Sequence, residues 1–188
     1  MGLLSLLKAT GTSYYGKRAY RYVDKLLKSE RNLLIVSPYI DDYYASYLAA
    51  HSRGKRRYII SSSIRGSAAK RLQKSNVGNA LAAEFLAVSV NWLLFLINGL
   101  NATFAFASIG FGAILIAYSL LHRNRIYLKV PKEFVHVKMY VGDGVAVEGS
   151  ANLTYAGMHK NIETVHLIRD RKDVEERKRQ FWTMWNSL

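Results

Sequence analysis

The feature that most restricts the fold of this chain is an apolar tract at residues 79–121, which carries a single formal charge, an acidic one. One membrane-spanning helix needs about 20 apolar residues, so the tract is long enough for two. Gly99 and Asn101 favour a turn near its centre, which gives predicted spans at 80–98 and 103–121. The alternative is a pair of helices buried in a soluble core, but few residues of this chain remain to enclose such a pair. The sequence therefore predicts a transmembrane helical hairpin.

Basic residues flank the tract on both sides, whereas the predicted turn has neither Lys nor Arg. The flanking residues are Arg65, Lys70, Arg71 and Lys74 before the tract, and Arg123, Arg125, Lys129 and Lys132 after it. Because positively charged flanks stay in the cytoplasm, both termini and the rest of the chain are predicted on the cytoplasmic side of an integral membrane protein.

The charge of the chain predicts a polyanionic partner. The formal net charge is +14, and no acidic residue occurs between Tyr43 and Ala83. Such a segment is suited to anionic lipid headgroups or to nucleic acid, and charge alone does not choose between them. The candidate contacts for a polyanion or a headgroup are Arg53, Lys55, Arg56 and Arg57.

Outside the tract, helical and strand-like patterns alternate. Strands are predicted at 33–37, 57–63, 126–130, 134–141, 144–150 and 163–168, with a helix at 41–52 and a charged helix at the end. This alternation predicts one α/β domain over residues 1–188, interrupted by the hairpin at 79–121, in which helices flank a mixed sheet.

The candidate chemistry lies after the tract. His136 and Lys138 are two residues apart on a predicted strand, so their side chains share one face. The polar residues that follow are Asp143, Ser150, Asn152 and Glu163. The chain has no cysteine, which excludes disulfides and thiolate chemistry. Histidine and carboxylates must therefore carry any reaction.

These residues resemble the signature of the phospholipase D superfamily. Its HxK(x)4D, GSxN and NxE elements are matched by His136, Lys138 and Asp143, by residues 149–152 and by residues 161–163. Residues 33–40 are also similar to the first strand of that family. One residue fewer than usual separates Asp143 from Gly149, and we expect the turn between the two strands to absorb the difference. The resemblance implies a phospholipase D-like α/β sandwich with the hairpin inserted.

The resemblance also implies a role for each residue. His136 attacks phosphorus and forms a phosphohistidine, which water or an alcohol resolves without a metal or another cofactor. The phosphate oxygens are expected to be bound by Lys138, Ser150 and Asn152. Glu163 is expected to accept a hydrogen bond from His136 and so fix its tautomer. Asp143 belongs to the catalytic motif, and a structural role is expected for it.

Enzymes of this superfamily use two such motifs around one site, and this chain has one. The resemblance therefore implies a homodimer in which each subunit supplies its own motif.

Three functions fit the sequence. Hydrolysis or transfer of a phosphatidyl group in membrane lipids comes first, because the hairpin would hold the domain at a bilayer. A membrane-tethered endonuclease that acts on single-stranded nucleic acid without a metal is the second. A membrane scaffold that keeps the fold without catalysis is the third.

Overall fold

In the computed structural model of the protein, residues 11–64, 66–74, 89–90 and 125–188 are described. The strands are β1 Thr12–Gly16, β2 Asn32–Val36, β3 Tyr39–Ile40, β4 Arg56–Ile60, β5 Ser63–Ile64, β6 Arg125–Lys129, β7 Met139–Val141, β8 Ala146–Gly149 and β9 Glu163–Ile168. The helices are α1 Tyr20–Ser29, α2 Asp42–His51, α3 Gly66–Lys74 and α4 Arg171–Ser187, with a π-helical turn at Ala156–Lys160.

Within these residues, seven strands form one mixed sheet in the order β1-β9-β8-β7-β2-β4-β6. Strands β2, β4 and β6 are parallel, whereas β1, β9, β8, β7 and β2 pair antiparallel in succession. Strands β3 and β5 form a separate parallel pair. The predicted mixed sheet with flanking helices is confirmed.

Alternating apolar residues give the sheet two buried faces. In β2, Leu33 and Ile35 pack in the cluster that includes α1, α2 and α3, and Leu34 and Val36 pack in the cluster that includes α4. All four side chains are buried. A strand covered on both sides is apolar throughout, which explains the unbroken run Leu33–Val36.

Strand β7 is shorter than predicted. The expectation was a strand over 134–141, but the ladder with β2 begins at Met139, which pairs with Val36. In this register Pro38 would face Val137, and proline has no N–H to donate. His136 and Lys138 therefore lie in the segment just before the ladder. The sequence reading also missed strand β1.

The predicted hairpin at 79–121 lies outside the described residues, apart from Ser89 and Val90. In the described part of the chain, no helix combines the length and the apolar character needed to cross a bilayer. The hairpin thus stays a prediction.

The parallel strands give the sheet two distinct ends. At the carboxyl end, Val36 of β2 lies between Ile60 of β4 and Met139 of β7. At the amino end, Arg56 of β4 has Arg125 of β6 as its register partner.

Candidate active site

Three segments meet at the carboxyl end of the sheet and bring the motif residues together. Gly149 N, at the end of β8, donates to Lys138 O at 3.3 Å. Ser150 N donates to Thr164 O at 3.1 Å, which joins the end of β8 to the start of β9. The approach to β7, the end of β8 and the start of β9 therefore form one polar cluster.

His136 and Lys138 are in direct contact. Lys138 Nζ lies 3.0 Å from His136 Nε2 and donates to His136 O at 3.0 Å. The two side chains lie on the same side of their segment, as their spacing predicted. The imidazole is exposed, whereas Lys138 is only 8% exposed. This burial lowers the pKa of the Lys138 ammonium, and the negative charge of Glu163 opposes that effect.

Glu163 is held by neighbours in its own chain. Ser150 Oγ donates to Glu163 Oε2, and Asn161 Nδ2 donates to Glu163 Oε1 at 3.2 Å. Ser150 Oγ in turn accepts from Thr164 N at 3.0 Å. The hydroxyl proton of Ser150 is thus directed to the carboxylate in this state. To donate to a phosphate oxygen, the hydroxyl would have to release Glu163.

The predicted hydrogen bond from His136 to Glu163 is not present between these two described residues. The carboxylate is bonded by Ser150 and Asn161, and the imidazole is bonded by Lys138. The role of Glu163 as the acceptor for a His136 ring stays a prediction.

Gly149 is required by the close approach of β8 to β9. A Cβ at this position would lie 2.0 Å from Thr164 O, a backbone atom. Only a residue without a side chain allows the two strands to meet there. The glycine of the GSxN element therefore places Ser150 beside Glu163.

Asn152 lies on a loop that two residues of the carboxyl end hold in place. Ser37 Oγ accepts from Leu153 N at 2.9 Å, and Asp41 Oδ2 accepts from Tyr155 N at 2.6 Å. The Oδ1 atom of Asn152 is buried and has no hydrogen-bond partner among the described residues. A buried amide oxygen without a partner is costly, so binding of a ligand that donates an N–H or O–H to it would be favoured.

Sequence reasoning missed Ser37 and Asp41 as positioning residues, although two signals were present. Ser37 lies between the end of β2 and Pro38, where the strand must stop. Asp41 precedes α2, and its Oδ1 accepts from Tyr44 N at 3.0 Å as an N-cap. Their long-range bonds to the Asn152 loop could not be read from the sequence.

Asp143 does not join the cluster. It lies in the turn between β7 and β8, at the amino end of the sheet, where its N–H donates to Glu30 Oε2 at 2.9 Å. It is seven positions from His136 along a mostly extended segment, which corresponds to about 20 Å. The turn is closed by Gly142 N, which donates to Val145 O at 2.8 Å. That this turn absorbs the missing residue stays a prediction, and Asp143 has the contacts of a structural residue.

The predicted polyanion contacts lie at the amino end as well, and the assignment of Arg57 to them is wrong. Arg57 is fully buried, and its guanidinium donates to Leu27 O and Glu30 O at the end of α1. Burial lowers the pKa of this guanidinium to about 10, so it stays charged at neutral pH. Arg53 and Arg56 are exposed, and Lys55 is half-buried with its ammonium on Lys28 O.

Several large side chains near the carboxyl end are exposed. Phe134 is 56% exposed, and its ring centroid lies 6.0 Å from that of His136 and 5.7 Å from that of Tyr39. Tyr39 and Tyr155 are exposed as well. These rings give the surroundings of His136 an aromatic surface that the motif did not indicate.

Comparison with known structures shows the fold. The chain is similar to Nuc, a phospholipase D family member from Salmonella typhimurium, with a TM-score of 0.53, 20% identity and coverage of 94% of this chain and 95% of that chain. It is also similar to NucT from Helicobacter pylori, with a TM-score of 0.51, 14% identity and coverage of 94% and 97%. Comparison with curated protein sequences finds no match.

The sequence profile of the family described as "Cardiolipin synthase, PLD-like domain" matches residues 22–185, which is most of the chain. That range contains six of the seven strands of the sheet, all except β1, and the polar cluster at its carboxyl end. The chain therefore belongs to this PLD-like domain family and, with it, to the phospholipase D superfamily.

Proposed function

We propose that this protein is a membrane-bound phosphodiesterase that hydrolyses or transfers a phosphatidyl group through a phosphohistidine on His136. The observation that carries the proposal is the 3.0 Å contact between Lys138 Nζ and His136 Nε2. A lysine ammonium has only N–H donors, so the ring nitrogen beside it is unprotonated and accepts with its lone pair, which becomes available for attack once the ammonium turns to a phosphate oxygen. That lone pair is what a nucleophile needs, and the adjacent cation is suited to bind the phosphate under attack.

The reaction has two balanced steps. In the first, Nε2 of His136 forms a bond to phosphorus as the bond from phosphorus to the leaving oxygen breaks, and that oxygen takes a proton from a general acid. In the second, water or an alcohol forms a new P–O bond, the P–N bond breaks, and the incoming oxygen returns its proton. Lys138 balances the charge on the non-bridging oxygens in both steps.

A homodimer completes this site in our proposal. One chain offers one exposed His136, which acts as the nucleophile. The proton transfers in the two steps need another group beside the phosphate. Pairing about a two-fold axis would let the partner subunit's His136 act as the general acid and then as the general base. The carboxylate of Glu163 would then be near two imidazoles, and either could be its hydrogen-bond donor.

Two features favour a phospholipid as the substrate. The description of the matched family names a lipid-synthesising enzyme, cardiolipin synthase. The apolar tract at 79–121 would also place the domain on the cytoplasmic side of a bilayer.

A nuclease is the second candidate, and the exposed rings of Tyr39, Phe134 and Tyr155 favour it. Aromatic faces next to a phosphodiester site can stack the bases of a single strand, and a net charge of +14 would attract its backbone.

One experiment tests both candidates. The full-length protein, His136→Ala and the control His166→Gln are offered labelled phospholipid and labelled single-stranded DNA or RNA. His166 lies outside the polar cluster, on β9, with its Nδ1 on Ser13 Oγ. We expect the wild type and the control to release the headgroup, and His136→Ala to lose at least about 10⁴-fold in rate.

Label on His136 after a denaturing quench at alkaline pH is the second readout, because it reports the covalent intermediate directly. Cleavage of the nucleic acid alone would replace the lipid proposal by the nuclease. No cleavage of either substrate, with no labelled histidine, would refute the phosphodiesterase.

A further inference from the structure

Four arginines gather at the amino end of the sheet, opposite His136. Arg31, Arg56 and Arg125 stand at the first residues of the three parallel strands or directly before them, and Arg53 lies in the turn that leads into β4. Arg56 N donates to Arg31 O at 2.9 Å, and Arg125 N donates to Lys55 O at 3.3 Å. The parallel pairing thus brings these residues side by side, although they are far apart in sequence. We name these four residues the arginine end.

The arginine end is exposed and holds more positive than negative charge. All four side chains are exposed, and no salt bridge is found for Arg31, Arg56 or Arg125 among the described residues. Carboxylates at this end of the sheet include those of Glu30, which accepts from Asp143 N, and of Asp143 itself. The surface therefore retains a net positive charge that can attract anions.

The described segments on either side of residues 75–124 meet this same end of the sheet. Helix α3 runs beside α2 in the same direction, because Ser67 Oγ donates to the Asp42 carboxylate and Arg71 donates to Ser46 Oγ at 2.6 Å. Helix α2 leads from the carboxyl end toward Arg53, so α3 also runs toward the arginine end. The chain re-enters at Arg125, beside Lys55.

We infer that the arginine end rests on the anionic headgroups of a lipid bilayer, so that His136 faces away from that bilayer. The residues between α3 and β6 include the long apolar tract at 79–121, which carries one formal charge. Anionic headgroups would attract the arginines, and the bilayer beneath them would hold the apolar tract that lies between the end of α3 and the start of β6. A bilayer is therefore the polyanion that both observations favour. Docking of both subunits of a dimer on one bilayer requires a two-fold axis that runs along the strands.

What this orientation means for the route of the substrate to His136 rests on the proposed function. The length of β4 alone separates Arg56 from Ile60 by about 13 Å, and His136 lies beyond that. A phosphodiester would then reach His136 from the aqueous side of the domain or from a facing membrane. The phosphatidyl substrate of the proposed function would therefore come from a facing membrane and not from the bilayer that the arginine end contacts.

The test uses the full chain, which has no cysteine and so accepts single labels. Gly144→Cys reports the arginine end, because this glycine lies in the exposed turn beside Asp143, and a Cβ there meets nothing within 4 Å. Ile162→Cys reports the carboxyl end, since Ile162 directly precedes Glu163 and is exposed. Each variant carries a nitroxide and is reconstituted into vesicles whose lipids bear chelated nickel on the headgroup.

We expect nickel to speed the relaxation of the Gly144→Cys label at least about two-fold more than that of the Ile162→Cys label, because the two ends differ in depth by more than 10 Å. Equal relaxation at the two positions, a stronger effect at Ile162→Cys, or no association with the vesicles would overturn the inference.

A second arm tests the charge. Phosphatidylglycerol added to phosphatidylcholine vesicles should strengthen the nickel effect on the Gly144→Cys label, and about 1 M salt should remove that gain. The triple change Arg31→Gln, Arg56→Gln and Arg125→Gln should remove it as well. A matched control removes the same charge at exposed positions near the carboxyl end: Lys17→Gln, Arg21→Gln and Lys160→Gln. Loss of the gain in the control, or its survival in the arginine variant, would contradict docking by the arginine end.

Two further measurements keep the alternatives apart. If the arginine variant loses binding to a labelled single strand of DNA but keeps its nickel effect, the arginine end binds nucleic acid, and the inference fails. Turnover of bis(p-nitrophenyl) phosphate by the wild type but not by His136→Ala tests the proposed function separately. No turnover by the wild type would refute that function and leave the docking result standing.

Discussion

Among single residues, Lys138 has the most direct effect on the chemistry of His136. It is buried beside an exposed imidazole, and its ammonium lies 3.0 Å from Nε2. Burial lowers the pKa of Lys138, and the negative charge of Glu163 raises it. Glu163 thus helps to keep a buried cation charged, in addition to any hydrogen bond it makes to an imidazole.

The pH dependence of activity should therefore respond to Glu163. The charged form of Lys138 is needed, so activity is present below the pKa of Lys138 and is lost as pH rises through it. Glu163→Gln removes the contribution that raises this pKa, so the alkaline limb of kcat/KM should move to lower pH. A pH profile with a soluble phosphodiester and the ¹³Cε chemical shift of Lys138 measure the change.

The control for this prediction is Glu148→Gln. That residue is a carboxylate on β8 whose partner is Arg177, and it does not contribute to the pKa of Lys138. Its alkaline limb should match that of the wild type. An unmoved limb in Glu163→Gln, or a shift to higher pH, would show that Glu163 does not act on Lys138.

At the level of strands and helices, the sequence indicated the main elements but not how they connect. The apolar run Leu33–Val36 predicted β2, and the motif spacing placed His136 and Lys138 on one side. Strand β1 was missed because its residues are mostly exposed and give no alternating apolar pattern. The burial of Arg57 was missed because its guanidinium pairs with carbonyls of α1, a long-range contact that composition cannot report.

The junction of β8 and β9 should be very sensitive to the size of residue 149. In Gly149→Ala the new Cβ would lie 2.0 Å from Thr164 O, so the strands must separate. We expect a loss of about 3 kcal/mol in the free energy of unfolding, or about 10 °C in Tm. Activity should fall as well, because Ser150 and Glu163 move apart.

Thermal unfolding of Gly149→Ala and Gly144→Ala compares two glycines of the same hairpin. A Cβ at Gly144 meets nothing within 4 Å, so its substitution should leave Tm unchanged or slightly higher. Equal Tm values for the two variants would mean that β8 and β9 do not approach as closely as described.

Asp41 should couple helix α2 to the loop that carries Asn152. In Asp41→Ala both the N-cap bond from Tyr44 N and the bond from Tyr155 N are lost. We expect a decrease of about 1 to 2 kcal/mol in the free energy of unfolding, and a lower kcat as the loop loosens. Asp41→Asn keeps an oxygen for the cap but places an NH2 donor opposite Tyr155 N, so it should recover the share of the stability that the cap provides, while kcat stays low. Chemical denaturation and the kcat of the three proteins measure this, and an Asn variant with the kcat of the wild type would argue against the coupling of α2 to the loop.

For the whole molecule, the two ends of the sheet divide its functions. The motif predicted the residues at the carboxyl end, because local spacing on neighbouring strands is enough to gather them. The motif did not predict that Asp143 lies at the opposite end, since that follows from the direction of β7. The sequence could not predict the arginine end either, because these residues come together only when three parallel strands begin side by side.

The proposed homodimer is a property of the whole molecule. Dimers with mixed subunits show quantitatively whether two chains share one active site. When equal amounts of wild type and His136→Ala exchange subunits, about a quarter of the dimers contain two wild-type chains. A shared site that needs both histidines should therefore show about a quarter of the activity of the same total amount of wild type, whereas independent sites should show about half. Mixing with Gly144→Ala controls for the exchange itself and should keep full activity. Half activity after verified exchange would mean that each chain works alone, because a single imidazole would then serve as both nucleophile and proton carrier.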